Sequence, residues 1–440
     1  MRLLVVLFLA LLAALSGCTY SQQEPGLFRQ KTIAPQPSPA PEVPRQLPER
    51  TNPLLPVAGR AVWTSGEGLD IQTVFAVHAI RRVEGATVLD WSVTPVKGAG
   101  LAIGDDIPAW VNLGLTRESV GDVNIHLIDP DTSKVYRPLN HESRREFSRC
   151  LCSPLWVAQL SLRIGETRLL QVTYPELPAS VRFLDVNMVT LPPFSHVPVT
   201  AVGQVPTTKQ PTDLTRPPDQ PPALTSPLAF RYPSDDSNFR QSIVIEEIIA
   251  SSALTSVRWQ ITSLTDQPSF SLLPSGSPVS AVLPPNVLVV SPGSASGPQI
   301  RPAGTPSASV TSAQWITVRQ QGRGFFECLC TDLGLWASSL RQAGGTVTVT
   351  TNYPALPAGV SKVDVILPGV ATVRALPVTP AVDSAAQVGA AIDSRIGHWA
   401  YTVADPPRGW RTADWPVPVP APSQLRHYLS TVDDLVELPR

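Results

Sequence analysis

The chain has almost no net charge and very little lysine. Its 440 residues carry 34 basic and 35 acidic side chains, which gives a formal net charge of -1 at pH 7. Nucleic acids and strongly anionic surfaces require a positive patch on their partner, so this balance argues against them. Lysine occurs only at positions 31, 97, 134, 209 and 362, so arginine supplies most of the positive charge.

The sequence also lacks the familiar catalytic motifs. It contains no Gly-x-Ser-x-Gly elbow, no His-Glu-x-x-His zinc motif, no glycine-rich phosphate loop and no dinucleotide fingerprint. We therefore expect a protein that is not an enzyme and that needs no cofactor.

The first eighteen residues are typical of a cleaved export signal. Arg2 precedes an apolar run from Leu3 to Leu15, which is too short to span a bilayer. The following Leu15-Ser16-Gly17-Cys18 resembles a bacterial lipobox. The resemblance implies that residues 1–18 form a lipoprotein signal, and that Cys18 becomes the lipid-bearing N-terminus, with palmitate as an acyl chain. It also places the mature chain on the cell membrane, facing outside the cytoplasm. The alternative is an ordinary signal with a chance cysteine.

Proline is abundant, with 48 residues, and it concentrates in tracts that divide the chain. Residues 19–57 read as a disordered tether that favours extended polyproline II, with a reach of up to roughly 120 Å. Residues 201–228 read as a Pro/Thr-rich linker. No second apolar run approaches the length of a membrane span.

Residues 58–200 have the pattern of an all-β domain. Short alternating runs occur at 73–77, 88–93 and 123–128, and turn signals separate them. Asp129-Pro130-Asp131 superficially resembles a calcium loop, but the full spacing is missing, so we predict a hairpin turn. Strands this short and this evenly spaced predict a β-sandwich.

Residues 229–380 repeat the first domain, and we call the two segments the first and second repeats. The second repeat contains an insertion near 273–308 that is rich in Ser, Pro and Gly, which we interpret as long loops. The matching blocks are 88–93 with 256–261, 147–152 with 325–330, 174–179 with 353–358, 184–186 with 363–365, and 197–199 with 376–378.

Aromatic residues at matching positions have predictable roles. Trp91 and Trp259 lie among alternating apolar residues, which indicates the central core aromatic of a sandwich. Tyr174 and Tyr353 end their strands, where a buried hydroxyl would tie a corner. The second repeat has no histidine, and His78 falls opposite Glu246, so a shared site cannot use histidine.

Each repeat contains one Cys-Leu-Cys pair, Cys150/Cys152 and Cys328/Cys330. In an oxidising compartment, paired cysteines are usually disulfides. A bridge within each pair is possible if the strand bends there, and bridges between the repeats are an alternative. Four thiolates could also form a soft-metal site, a strained pair could exchange electrons, and free thiols remain possible.

Residues 381–440 form a tail that contains Trp399, Trp410 and Trp415. So many large rings indicate a segment that docks on a domain or on a partner. Leu425, Leu429, Val432 and Val436 recur at helical spacing after Ser423, which predicts a short amphipathic helix over 425–436 with Ser423 as its cap.

Together these motifs suggest a family. The segments 91–94, 150–153, 165–167, 174–175 and 197–199 resemble an immunoglobulin-like extracellular domain of actinobacterial envelope proteins. The resemblance covers both repeats and implies two tandem immunoglobulin-like β-sandwich domains. Some such proteins carry an OmpA-like peptidoglycan-binding domain, but none follows here, and the family supplies no catalytic residues.

We therefore expect a non-catalytic binding or scaffolding module, anchored to the membrane by lipid, whose partner is an envelope protein or a wall polymer and not nucleic acid. The end loops, foremost those near 273–308, are the predicted contact surface. One alternative is a redox-active or soft-metal protein that uses the four paired cysteines. Another is an accessory domain that positions a hydrolase on a polymer.

Overall fold

The computed structural model describes residues 56–65, 70–108, 113–115, 123–141, 150–153, 162–210, 212–231, 240–266, 298–305, 314–318, 324–331, 340, 342–367, 371–393, 428–429 and 432–436. Within these residues nearly all regular structure is β, and the one helix, α1 (Ser384–Gln387), has four residues. The predicted all-β class is confirmed.

Seven strands of the first repeat follow one another in a continuous hydrogen-bonded path, β5-β4-β8-β9-β2-β3-β7, and β1 also pairs with β2. All of these pairings are antiparallel except that of β9 with β2, which is parallel. The strands of this part of the chain are β1 (Gly59–Thr64), β2 (Gln72–Val83), β3 (Ala86–Lys97), β4 (Ile125–Asp129), β5 (Lys134–Tyr136), β6 (Asn140–His141), β7 (Arg168–Pro175), β8 (Phe183–Met188), β9 (Phe194–Thr200) and β10 (Gln204–Thr208).

The second repeat pairs its strands in a corresponding order. Strands β11, β12, β13 and β17 form one sheet, β14, β18 and β19 form another, and β20 runs parallel to β12. Strands β15 and β16 pair with each other. These strands are β11 (Leu228–Arg231), β12 (Arg240–Ala250), β13 (Leu254–Ser263), β14 (Gln299–Pro302), β15 (Gln314–Val318), β16 (Gly324–Cys328), β17 (Thr346–Pro354), β18 (Lys362–Leu367), β19 (Ala371–Pro377) and β20 (Thr379–Pro380).

The repeats share irregularities as well as strands. A bulge in β2 falls at His78, and a bulge in β12 falls at Glu246, the residue aligned with it. A second pair of register shifts falls at Asp185 in β8 and at Asp364 in β18. Because a bulge re-aims one side chain, these four positions are where each repeat can present a polar group.

The predicted core aromatics are confirmed. Trp91 and Trp259 are completely buried. Phe75 lies parallel to Trp91, with ring centroids 6.3 Å apart. Trp259 donates from Nε1 to Thr351 Oγ1 at 3.2 Å, whereas the matching position in the first repeat is Val172, which cannot accept a hydrogen bond.

The predicted tyrosine corners are also confirmed. Tyr174 and Tyr353 are fully buried. The Tyr174 hydroxyl donates to the carbonyl of Ile125 at 3.1 Å, and the Tyr353 hydroxyl donates to the carbonyl of Pro298 at 3.3 Å. Each bond joins the end of β7 or β17 to the start of β4 or to the residue before β14. Burial raises the pKa of both phenols, so both remain protonated.

Two local predictions, for the insertion and for the linker, differ from the structure in part. The insertion near 273–308 is not entirely loop, because β14 lies within it and pairs with β18. The segment 201–228 contains β10, which pairs with β21 (Val388–Asp393). It also contacts the first repeat, since Arg60 Nη1 donates to the carbonyls of Asp213 and Arg216 at 3.2 and 3.0 Å.

The predicted C-terminal helix is wrong. Its residues form two strands instead, β22 (Tyr428–Leu429) and β23 (Val432–Val436). Strand β22 pairs with β6, and β23 pairs with β5 on one side and β15 on the other. Unpaired sheet edges offer a row of hydrogen-bonding groups, and these override a helical spacing of apolar residues.

Candidate binding cleft

The two repeats meet in a small apolar cluster. Ile128 and Val135, from β4 and β5, pack with Ala253, Leu254 and Leu329 of the second repeat. All are almost completely buried. We call this group the junction cluster.

Backbone carbonyls of the first repeat accept hydrogen bonds across the same junction. Thr331 Oγ1 donates to the carbonyl of Val189 at 3.2 Å, and Thr350 Oγ1 donates to the carbonyl of Thr190 at 3.0 Å. Burying these hydroxyls is favourable because each finds an acceptor. The junction therefore has both apolar and directional contacts, which fix how the repeats sit together.

Asp185 is the centre of the polar contacts at the junction. Its carboxylate is completely buried. Oδ1 accepts from Ser195 Oγ at 3.2 Å and from the His196 amide at 2.9 Å, within its own repeat. Ser252 Oγ donates to both oxygens, at 3.2 and 3.3 Å, and the Ala253 amide donates to Oδ2 at 3.1 Å. One carboxylate thus holds a bulge of the first repeat against a turn of the second.

Asp364 occupies the same position in the second repeat but uses a different partner. Oδ1 accepts from the Ala375 amide at 3.0 Å, as Asp185 does from His196. Both donor residues have positive φ, 54° for Ala375 and 57° for His196. Oδ2 instead pairs with Arg301 at 3.1 Å, on the neighbouring strand β14. The Ala375 amide, followed by Arg301, lowers the pKa of Asp364.

The register explains the difference between the two aspartates. Arg301 stands opposite Asp364, and the residue opposite Asp185 is Ile128. Isoleucine cannot pair with a carboxylate, so Asp185 is left to accept from the second repeat, while Ile128 joins the junction cluster. The two aspartates therefore differ at the position opposite them, which is arginine in the second repeat and isoleucine in the first.

A cleft of about 740 Å³ opens beside this junction. Five parts of the chain line it: strand β1 with Val57, residues 192–194, the segment 210–221, strands β12 and β13, and β20 with the residues that follow it. Both signs of charge occur among the described lining residues, and Phe194 adds an aromatic ring. The charged residues are Arg60, Arg216 and Arg258, with Asp213, Asp219 and Glu247.

Arg258 lies between this cleft and a second one of about 430 Å³. Its Nε is 2.9 Å from Glu246 Oε2, and its Nη1 is 3.4 Å from Glu247 Oε1. Burial raises the pKa of Glu246, although Arg258 opposes the shift. The aligned position of Arg258 in the first repeat is Asp90, which pairs with Arg81, so the charges are reversed between the repeats.

His78 attaches the end of the N-terminal tether to the first repeat. It is completely buried, with Nδ1 2.7 Å from the Pro56 carbonyl and Nε2 2.8 Å from Ser92 Oγ. The carbonyl can only accept, so Nδ1 carries the proton and Nε2 accepts from Ser92. Burial lowers the pKa of His78, and the Pro56 hydrogen bond and the charge of Asp90 oppose this shift.

We predict that His78 makes the fold less stable in mild acid. Its pKa is lower in the folded chain than the ordinary value of about 6.5, so the unfolded chain binds more protons below that pH. The free energy of unfolding should fall by up to about 1.4 kcal/mol per pH unit below pH 6.5, until the folded-state pKa is reached. Urea titrations between pH 5 and 8 measure this slope.

The variant His78→Gln should flatten the slope even if it is less stable overall, because glutamine does not titrate. His196→Asn is the matched control, since the His196 side chain is 48% exposed. A slope that is equal in the wild type and in His78→Gln would contradict the prediction.

The two cysteines of the first repeat lie side by side. Cys150 and Cys152 have Cα atoms 5.3 Å apart with their sulfurs in contact, and this Cα separation suits a disulfide. Cys330 is likewise bonded, whereas the side chain of Cys328 lies outside the described residues. The two cysteines also match in their backbone pairing. Cys152 forms an isolated β-bridge with Val172 of β7, and Cys330 forms one with Thr351 of β17.

The residue after each pair has a matching role. The Gln171 amide donates to Ser153 Oγ at 2.9 Å, and the Thr350 amide donates to Thr331 Oγ1 at 2.8 Å. Serine and threonine both supply the required oxygen, so the motif reads Cys-Leu-Cys-Ser/Thr. The motif holds a short extended segment beside a central strand.

We predict a disulfide within each pair. Intact-mass measurement after alkylation should show that none of these four cysteines is alkylated without reductant. All four should be alkylated after reduction. Because the closed loop is very short, Cys150→Ser/Cys152→Ser should lower the free energy of unfolding by no more than about 2 kcal/mol. Cys328→Ser/Cys330→Ser is the matched variant. Four thiols that are free before reduction would overturn the prediction.

Several residues for which the sequence predicts a role lie outside the described residues. Cys18, the contact loops at 273–297, and Trp399, Trp410 and Trp415 all lie there. The Asp129–Asp131 turn is described and is a hairpin, as predicted: Asp129 accepts from the Asp131 amide and from Thr132 Oγ1 at 3.0 and 2.7 Å.

The described residues contain no group of three His, Cys, Asp or Glu side chains placed to hold a metal ion. None of their helices has the length and apolar character needed to cross a membrane. Comparison with protein-family models, with curated proteins and with solved structures found no match.

Proposed function

We propose that this protein is a lipid-anchored, non-catalytic binding module of the cell envelope, built from two tandem immunoglobulin-like sandwiches. Cys18 carries the lipid, and residues 19–57 hold the repeats away from the membrane. The matching strand pairings, bulges and tyrosine corners of the two repeats support the sandwich assignment.

The cleft beside the junction is the observation that carries the binding function. It draws its walls from both repeats and from the segment between them, so it exists only when the junction is formed. Its mixed charges suit a polar polypeptide segment better than a polyanion, which one sign of charge would favour. We therefore take an envelope protein as the partner.

Position-specific crosslinking in cells tests this proposal. A photoreactive amino acid at Gln220, an exposed residue of the cleft, should capture one envelope protein. The same group at Ile103, which is 61% exposed and outside the cleft, is the matched control. Capture of wall material would change the partner class. Equal products at both positions, or none above an anchor-only control, would refute the cleft as the binding site.

The lipid anchor has its own test. Cells fed an alkyne analogue of palmitate should label the wild-type protein, and the label should disappear in Cys18→Ala. The variant should also leave the membrane fraction. A labelled Cys18→Ala protein would place the lipid elsewhere, and an unlabelled wild type would favour an ordinary cleaved signal.

A further inference from the structure

The C-terminal strand β23 fills a gap between the two repeats. On one side it pairs antiparallel with β5 of the first repeat, where Val432, Asp433 and Asp434 stand opposite Tyr136, Val135 and Lys134. On the other side it pairs with β15 of the second repeat, where Leu435 and Val436 stand opposite Trp315 and Gln314.

Among the described strands, both partners of β23 would otherwise be edge strands. Strand β5 pairs with β4 on its far side, and β15 pairs with β16 on its far side. Exposed edges are templates for pairing with another extended segment, and many peptide-binding domains use an edge in this way. Strand β23 pairs with all three residues of β5 and with the first two residues of β15, and it thereby joins β15 and β16 to the sheet of the first repeat.

We propose that the facing edges of β5 and β15 form a strand-addition site for an extended peptide, and that residues 428–436 are its built-in ligand. The pairing of β22 with β6 extends the contact along the first repeat. Asp434 is in register with Lys134, so the charges of strand and edge are complementary. Because Val135 also belongs to the junction cluster, the strand reinforces the junction at the same element.

This site is separate from the cleft and does not depend on the lipid or on the proposed partner. The ligand is an extended segment that binds through backbone hydrogen bonds. It has apolar residues at the positions of Val432, Leu435 and Val436, and an acidic residue opposite Lys134. The segment within the chain has the advantage of being intramolecular, so a free peptide should compete poorly while it is in place.

A proline in the strand tests the proposal in the full chain. Leu435→Pro removes a backbone donor from β23 and should vacate the site. A fluorescent peptide of residues 426–440, added at micromolar concentration, should bind the variant at least about tenfold more than the wild type. The same peptide with Leu435→Pro is the control. A folded variant that binds no peptide would overturn the proposal.

A disulfide crosslink provides a second measurement, in which β23 stays paired with β15. Gln314→Cys/Val436→Cys places cysteines at directly opposite positions, where side chains lie within disulfide reach. Oxidation should link the two positions within one chain, as located by peptide mapping, and Gln314→Cys alone should not link to the tail. Absence of the link in the folded double variant would also overturn the proposal.

Discussion

Replacing Asp185 with alanine is expected to lower the free energy of unfolding by about 3–5 kcal/mol. The substitution removes the acceptor of Ser195 Oγ, the His196 amide, Ser252 Oγ and the Ala253 amide. Hydrogen bonds to a carboxylate are stronger than neutral ones, and two of the donor residues left behind, Ser195 and Ala253, are buried, where an unsatisfied group has a further cost.

The location of the loss matters more than its size. Two of the four donors belong to the second repeat, so the variant should also loosen the junction. Denaturant unfolding followed by tryptophan fluorescence should show two separated transitions for Asp185→Ala, where the wild type shows one. Asp364→Ala is the matched control, because it removes the same bulge contact and the Arg301 pair within a single repeat. A change below about 1 kcal/mol, typical of a surface substitution, would contradict the role of Asp185.

The parts of the fold that could be predicted are those with local signals. Trp91, Trp259, Tyr174 and Tyr353 are large residues at fixed places in alternating strands, and their burial follows from that pattern. The alignment also pairs His78 with Glu246, and the structure places a bulge at each of these two positions. Matching aspartates in the blocks 184–186 and 363–365 were likewise visible in the sequence.

What could not be predicted is which partner each aspartate takes. The sequence places Asp185 and Asp364 in equivalent blocks, but Ser252 and Ala253 are distant in sequence and belong to the other repeat. Their contact depends on the junction, which needs residues of both repeats. The signal that could have revealed it is the aligned pair Ile128 and Arg301, but β14 was hidden inside the Ser/Pro/Gly-rich insertion.

The wrong helix at the C-terminus has a similar origin. Apolar residues at 429, 432 and 436 fit a helical face, and nothing local contradicts that interpretation. Strand formation is decided by the edges of β5 and β15, which belong to different repeats. Context of this kind commonly overrides intrinsic preference in β-structure.

The difference between Ile128 and Arg301 leads to the second large prediction, a variant that makes the first repeat self-contained. In Ile128→Arg the new guanidinium stands opposite Asp185, as Arg301 stands opposite Asp364. It should draw the carboxylate away from Ser252 and Ala253 and disrupt the junction cluster. We expect a loss of about 3 kcal/mol of unfolding free energy, with the first repeat still folded.

Two controls separate this effect from simple overpacking. Ile128→Met keeps an apolar side chain of similar volume and should cost less than about 1.5 kcal/mol. Arg301→Ile should weaken only the second repeat, because it removes the Asp364 pair without touching the junction. Hydrogen exchange at the Ala253 amide reports the junction directly: Ile128→Arg should speed it, and the controls should not. An unchanged exchange rate at the Ala253 amide in a folded Ile128→Arg variant would contradict the prediction. It would show that residue 128 does not decide whether Asp185 binds within its repeat or to the second repeat.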